Sequence, residues 1–323
     1  MRHRIWKKTG RKCLPKNELA VILRNHFGLD NTCELQVKRL PATGNSCLFI
    51  ASGGALPQKI FVKQVHTADS EKQFRSLVAL SNQLGSYAYR VPRPITCLAN
   101  HNIVCMECVE GPDLKKLLMN SSMHDDVKKN AIRRAGGWIS HFHSTNRQDP
   151  RPIDFKRKID DLKKCTEKSE RYLAQDPVLA AANDWLVAGS HRLAGKSVAR
   201  GIVHGDFKAE NLIVTDCSIV GIDFCHDSIG SQLMDIAQFT NNVRLIGSTL
   251  GGRRYRNQTD SWANLLVNAY QESSGEISES TLKWLRIHHM LRYWGIEKSR
   301  MSPFGIFQTN WLRNEIGAVL EIE

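Results

Sequence analysis

The segment from Gly201 to Phe224 carries the side chains best suited to do chemistry. It reads Gly201-Ile-Val-His-Gly-Asp-Phe-Lys-Ala-Glu-Asn-Leu-Ile-Val-Thr-Asp-Cys-Ser-Ile-Val-Gly-Ile-Asp-Phe224. Asp206 and Asn211 lie five apart, close enough for one irregular loop to present both. Asp223 ends the second of two apolar strands, which as a hairpin would return it beside that loop. A carboxylate able to take or orient a hydroxyl proton, with an amide oxygen and a second carboxylate for magnesium, is what phosphoryl transfer from ATP requires. Each residue alone would pass for a turn or cap; their order, spacing and apolar flanks give the set its meaning.

The elements that must position this loop are legible on either side. A short helix over Asn17–Phe27 stops at Gly28, and three strand-like runs follow at Cys33–Leu40, Cys47–Ser52 and Ile60–Val65. Apolar spacing predicts a helix over Ser70–Leu84, and Ile95–Leu98 and Ile103–Met106 read as two more strands. Beyond Gly111-Pro112 the chain turns helical. Asp113 is placed to cap a short helix, and Val127–Thr145 is amphipathic, with Trp138 and Phe142 on its apolar face. Helices are expected at Lys158–Leu173, Pro177–Leu193, Leu233–Leu245, Ser261–Gln271, Ser278–Met290 and Thr309–Leu320. Trp138, Trp185, Trp262, Trp284 and Trp311 fall in helical stretches and read as core residues.

The loop resembles that of the aminoglycoside phosphotransferase family, the small-molecule branch of the protein-kinase-like superfamily. Gly205 stands where protein kinases usually carry Arg. The resemblance covers roughly residues 33–240 and implies an α+β, protein-kinase-like two-lobed fold. In it a small antiparallel-sheet N-lobe with one helix precedes a larger, mostly helical C-lobe. It also implies roles: Asp206 as catalytic base, Asn211 and Asp223 as magnesium ligands, and Asp235 of Met234-Asp-Ile-Ala237 as a structural carboxylate. Lys63, inside Phe61-Val-Lys-Gln-Val65, matches the third-strand lysine that holds ATP phosphates. Its acidic partner on the next helix would be Glu71, with Asp69 as the N-cap. Met106, Glu107 and Cys108 match the hinge whose backbone meets adenine, and His141 and His143 match a packing segment ahead of the loop. Lys208, two residues after Asp206, suits neutralisation of the transferring phosphoryl group or a solvent-exposed loop position.

Three departures narrow the resemblance. The loop Pro41–Ser46 holds a single glycine, Gly44, so phosphate gripping rests on fewer backbone N–H groups. Phe224 is followed by Cys225 rather than Gly, and no Ala-Pro-Glu follows. These gaps argue against a protein kinase with a switching activation segment. A non-catalytic nucleotide-binding scaffold is the other alternative, and the joint presence of Lys63, Asp206, Asn211 and Asp223 argues against it.

Composition sets the remaining bounds. The 323 residues carry 45 basic and 32 acidic side chains, for a net charge of +13. Seven of the basic residues, Arg2, Arg4, Lys7, Lys8, Arg11, Lys12 and Lys16, fall in the first 16 positions, where no acid occurs. Without that arm the body is mildly basic, and nucleic-acid binding loses its main compositional support. The helical part carries 29 basic and 25 acidic residues, including Arg253-Arg-Tyr-Arg256. That balance disfavours a polycationic acceptor and suits a neutral or anionic one, such as a sugar or glycoconjugate. Nine scattered cysteines read as free thiols in a reducing, cytoplasmic setting, and Cys105-x-x-Cys108 lacks the second pair a zinc site needs. No apolar run approaches the roughly 18–20 residues that span a bilayer, and no secretory signal is evident. The expected organisation is a basic arm at 1–16, a nucleotide-binding lobe at 17–107, and a helical lobe at 108–323 with the catalytic loop and acceptor site. The expected cofactors are ATP and Mg2+, and the expected partner is a small-molecule hydroxyl acceptor.

Overall fold

The computed structural model describes residues 13–321 apart from 31, 42–45, 54–55, 57, 66–69, 86, 225–227, 249–250 and 301–302. Most of the basic arm, Gly44 and Asp69 therefore lie outside the described residues. Contacts divide the chain into two units, Met1–Gly111 with Ile213–Ile222, and Pro112–Leu212 with Asp223–Glu323.

The first unit opens with α1 (Lys16–Phe27), which buries Leu19, Ala20 and Leu23 and stops at Gly28. The strands β1 (Leu35–Leu40), β2 (Ser46–Gly53) and β3 (Ile60–Val65) follow, then α2 (Ser70–Leu84), β4 (Tyr89–Arg90), β5 (Pro94–Leu98) and β6 (Ile103–Glu107). Five of these strands form an antiparallel sheet in the order β1-β2-β3-β6-β5. Alternation along β2 turns Cys47, Phe49 and Ala51 inward, where they meet Leu19, Leu23, Ile60, Val62, Ile103 and Cys105. Cys13 and Cys47 are joined by a disulfide that ties the segment ahead of α1 to the first strands. This corrects the free-thiol expectation for that pair; Cys33, Cys97, Cys105, Cys108, Cys165 and Cys217 carry free thiols.

The second unit begins with α3 (Leu114–Met119), capped as expected by Asp113, whose side chain accepts from the Lys116 N–H at 2.8 Å. After α4 (Asp125–Ser144) the chain forms β7 (Arg147–Pro152), α5 (Phe155–Thr166), α6 (Glu170–Gln175), α7 (Pro177–Arg192) and β8 (Ser197–Ile202). The single helix expected over 158–173 is broken: α5 ends at Thr166, a tighter turn covers Glu167–Ser169, and α6 starts at Glu170. The loop at His204–Asn211 leads into β9 (Leu212–Val214) and β10 (Ile219–Gly221). β10 pairs in parallel with β4, Ile219 opposite Tyr89 and Val220 opposite Arg90. That pairing groups Ile213–Ile222 with the first unit, whereas the linear reading kept them in the helical lobe.

The chain closes with β11 (Ile229–Ser231), α8 (Leu233–Ser248), α9 (Arg256–Ser274), α10 (Glu279–Arg300) and α11 (Pro303–Glu321). A small sheet, β11-β8-β7, sets the start of the loop at His204–Asn211. The core of this unit includes Trp138, Phe142, Phe207, Phe239, Trp262 and Trp284, all fully buried, while Trp185 and Trp311 are half-buried. Gly136 lets α4 and α9 touch: a Cβ there would stand 2.7 Å from Ala269 Cβ and 2.8 Å from the Leu266 carbonyl. Among the described residues no helix is long and apolar enough to cross a membrane.

Where α5 meets α10, His288 lies with Nε2 3.0 Å from the Lys158 carbonyl and its ring stacked on Trp284. Burial, then the charge of Lys158, pushes His288 down to about 3. Burial, then Arg292 and Lys158, pushes His289 down to about 4. Both are therefore neutral in the folded chain where an unfolded histidine, near 6.5, takes up a proton. As pH falls from about 6.5 toward 4, the unfolded state binds protons that the native state refuses, so stability is lost. We expect the chemical-denaturation midpoint to drop steadily across that window, by on the order of a few kcal/mol of unfolding free energy. In His288→Gln the slope should be shallower; an unchanged slope would remove His288 from the account.

Candidate active site

The loop from His204 to Asn211 is anchored by alternate residues. Phe207 is fully buried, stacked 4.9 Å from Phe239 and 6.0 Å from Trp138 between ring centroids. Its neighbours Asp206 and Lys208 point the other way, with side chains 47% and 35% exposed. Gly205 sits at φ 78°, a left-handed conformation that side chains rarely adopt, which explains why glycine stands between His204 and Asp206. The His204 ring packs among Trp138, Phe142, Phe207 and Phe224.

Asp235, fully buried at the start of α8, fixes the loop backbone. Its carboxylate accepts from the N–H of His204 at 2.7 Å and of Gly205 at 2.9 Å. His143 Nε2 lies 3.0 Å from the same carboxylate, and its Nδ1 lies 3.1 Å from the Tyr270 hydroxyl. His143 thus does more than pack: with Tyr270 it completes the shell of the carboxylate that holds the loop. Gln232 adds a bond from Nε2 to the His143 carbonyl at 2.8 Å.

Within the loop, Asn211 Nδ2 donates to the Asp206 carbonyl at 2.8 Å and to Asp206 Oδ2 at 3.1 Å. Lys208 Nζ donates to the same Oδ2 at 2.7 Å. Both donors use one carboxylate oxygen, which leaves Oδ1 as the atom able to accept from an incoming hydroxyl. Burial disfavours the Lys208 charge, but Asp206, Glu210 and Asp223 outweigh it and raise its pKa. Glu210 is itself held below the usual carboxylate range: burial pushes it up, but the Lys115 ammonium 2.8 Å away prevails. Asn242, on α8, links the Glu210 side chain at 3.2 Å to the Ala209 N–H at 3.0 Å.

Asp223 has a positive φ of 59°, uncommon for a residue with a Cβ and a form of strain that collects at functional sites. The acidic surroundings of Lys208 and the hard oxygens of Asn211 and Asp223 suit a divalent cation. Because Asn211 turns its Nδ2 to Asp206, its Oδ1 stays available as a ligand. Among the described residues no group of three His, Cys, Asp or Glu could hold a metal alone.

In the first unit, Lys63 is half-buried on β3, opposite Leu48 and Val104, and Glu71 is exposed in the first turn of α2. Met106 and Glu107 end β6. The Glu107 side chain is held by a two-pronged ion pair with Arg90, at 2.7 and 3.1 Å, and by the Arg93 N–H at 3.1 Å. Burial pushes its pKa up, but these partners bring it below the usual range. The N–H groups of Glu107 and Cys108 are bonded to the carbonyls of Arg93 and Lys59, at 2.9 and 3.4 Å. The Glu107 side chain is thus a strut that ties the end of β6 to Arg90 and Arg93.

The family model described as the phosphotransferase enzyme family matches residues 47–275. The chain belongs to this family. Its activity is ATP-dependent transfer of a phosphoryl group to a hydroxyl of a small molecule. Solved structures agree on the fold at low identity. A spectinomycin phosphotransferase in complex with ADP and spectinomycin is 14% identical, with TM-score 0.64 over 96% of this chain and 100% of that one. An amicoumacin kinase with AMP-PNP and Ca2+ is 14% identical, with TM-score 0.61 over 93% of each chain. A thermostable aminoglycoside phosphotransferase mutant with ADP and hygromycin B is 13% identical, with TM-score 0.62 over 93% of this chain and 97% of that one. No curated protein sequence matches this phosphotransferase.

Proposed function

We propose that this phosphotransferase moves the γ-phosphoryl group of Mg-ATP to a hydroxyl of a neutral or anionic small molecule, such as a sugar or glycoconjugate, with Asp206 as the base. The observation that carries this reading is the arrangement at Asp206: Oδ2 is occupied by Lys208 and Asn211, and Oδ1 is left for the acceptor. The acceptor hydroxyl donates to Oδ1, which fixes its lone pair on the γ-phosphorus. As the new oxygen–phosphorus bond forms, the bond from the γ-phosphorus to the bridging oxygen breaks and ADP leaves with that electron pair. The hydroxyl proton passes to Asp206. Lys208 neutralises charge on the transferring group; Lys63 is the residue proposed to hold the nucleotide phosphates, with Glu71 its proposed acidic partner. The backbone of Met106, Glu107 and Cys108 is proposed to meet adenine, and Gly44, outside the described residues, to contact the phosphates. Asn211 and Asp223 would hold magnesium, which when bound spreads the negative charge of the phosphates. Positioning and fixed charge provide most of the acceleration in such a site.

Nucleotide complexes of the fold relatives support the nucleotide and divalent-metal parts of this reading. The cytoplasm, where ATP is abundant, is the compartment it favours. The test is thermal stabilisation by Mg-ATP. Wild-type protein should melt higher with Mg-ATP than with ATP and a chelator, and Asp223→Ala should lose that difference. Undiminished stabilisation of Asp223→Ala would remove Asp223 from the metal site.

A further inference from the structure

An open cavity of about 450 Å³ lies within the second unit, lined by Asp113, Lys115, Lys116, Met119 and Glu210. It borders the loop at His204–Asn211 directly, because Glu210 sits in the short turn Ala209–Asn211. Asn211 Nδ2 is 3.1 Å from Asp206 Oδ2. Adjacent Cα atoms are about 3.8 Å apart, so the Glu210 Cα lies within about 11 Å of that oxygen. One or two sugar rings span that distance.

The charged side chains of the cavity form two closed ion pairs. Lys115 Nζ lies 2.8 Å from Glu210 Oε1, with both side chains half-buried. Lys116 Nζ lies 2.8 Å from Asp113 Oδ2, and the Lys116 N–H gives a further bond to Asp113 Oδ1 at 2.8 Å. The lining therefore holds two cations and two anions and carries no net charge. An anion entering it meets two carboxylates, and a polycation meets two ammonium groups. Both are disfavoured against a neutral guest.

The pairs hold bonding capacity in reserve. A carboxylate accepts at about four sites and an ammonium has three donors. Glu210 gives Oε1 to Lys115 and Oε2 to Asn242, at 2.8 and 3.2 Å. Among the described residues, the Lys115 ammonium has that Glu210 bond alone. A hydroxyl both donates and accepts. Two adjacent hydroxyls, one giving to the carboxylate and one taking from the ammonium, match the Lys115–Glu210 pair through charge-assisted bonds. Met119 adds an apolar wall against which the carbon–hydrogen face of a ring can pack. The wall and the pair are both fixed in place. The Met119 carbonyl accepts from the hydroxyl of buried Tyr255 at 3.2 Å, and the Lys128 ammonium lies 4.2 Å from the centre of the Tyr255 ring. On the other side, Asn242 ties the Glu210 side chain to the Ala209 N–H at 3.0 Å. Groups held before a ligand arrives cost it less to bind.

We propose that this cavity is the subsite for the non-reacting part of the acceptor, that it takes an uncharged polyhydroxyl ring, and that Lys115 and Glu210 determine specificity by holding two of its adjacent hydroxyls. This rests on the phosphotransferase reading and narrows its acceptor to the neutral class. With the ring held there, another hydroxyl of the same molecule is presented to Asp206 Oδ1.

The test offers the full chain ATP with a panel of uncharged hexoses, pentoses and disaccharides, the matching sugar phosphates and hexuronates, and an aminoglycoside. Transfer to each is followed by mass shift. An uncharged sugar should show the highest kcat/KM. Single-deoxy forms of that sugar are then compared. Removing one of the two held hydroxyls should raise the wild-type KM roughly tenfold to a hundredfold. In Lys115→Met and Glu210→Gln the parent sugar should suffer a similar loss, and that deoxy form should then bind no worse than the parent. Should one variant fail to fold, the other carries the comparison. A pair that only braces the loop would leave the deoxy penalty at its wild-type size in both variants, and that result would overturn the subsite. Preference for a sugar phosphate, a hexuronate or the aminoglycoside would overturn the neutral class and leave the phosphotransferase reading standing. ATP turned over to inorganic phosphate, with no member of the panel phosphorylated, would overturn both that reading and the subsite.

Discussion

Asp206→Asn is expected to lower phosphoryl transfer by about 10²–10⁴-fold while the protein keeps its fold and its nucleotide affinity. The amide has nearly the shape of the carboxylate, so Asn211 can still donate to the carbonyl of residue 206 and, in one orientation, to the side chain. What is lost is the negative charge that takes up the acceptor proton and the ion pair with Lys208. The carboxylate is 47% exposed, so the stability lost with the pair should be no more than about 1 kcal/mol. Initial rates, melting temperature and ATP titration separate these effects. A transfer rate near wild type would remove Asp206 from the chemistry, and a large fall in melting temperature would make its role structural.

Asp235→Ala should act through stability and rate together. It strips the acceptor from the N–H groups of His204 and Gly205 and from His143 Nε2, three donors in a region from which water is excluded. Leaving such groups unpaired costs on the order of 3–5 kcal/mol, so a sharp drop in the unfolding midpoint is expected. Asp235→Asn keeps the volume but retains one acceptor oxygen and turns an N–H₂ toward the other donors, so it should recover only part of the loss. Both variants should transfer slowly even where they remain folded, because the loop backbone that aims Asp206 is no longer fixed. A folded Asp235→Ala protein with full activity would show that the loop holds its geometry without the carboxylate.

The sequence carried the chemistry more plainly than the scaffold behind it. The order of Asp206, Asn211 and Asp223 is local, and the structure joins the first two directly and brings Asp223 within electrostatic reach of Lys208. Elements with a clear apolar period were equally legible, and α2 runs over the expected Ser70–Leu84. The small sheet that begins the loop was not. Its strand Arg147–Pro152 is exposed at every position and contains two prolines, so it has no buried face to produce alternation. The Asp235–His143–Tyr270 chain was invisible for another reason: its members lie on three helices, 92 and 127 residues apart in their two contacts. A histidine inside an amphipathic helix gives no local sign of what it will meet.

The central claim is that a hydroxyl on a small molecule receives the γ-phosphoryl group. The most direct measurement supplies ATP with heavy oxygen in that group, together with a mixture of sugars, sugar acids and sugar phosphates, and follows the label by mass spectrometry. The account predicts labelled phosphoryl on an acceptor oxygen, dependent on Asp206 and a divalent cation. Label found only in inorganic phosphate, or on serine and threonine of a protein, would contradict it.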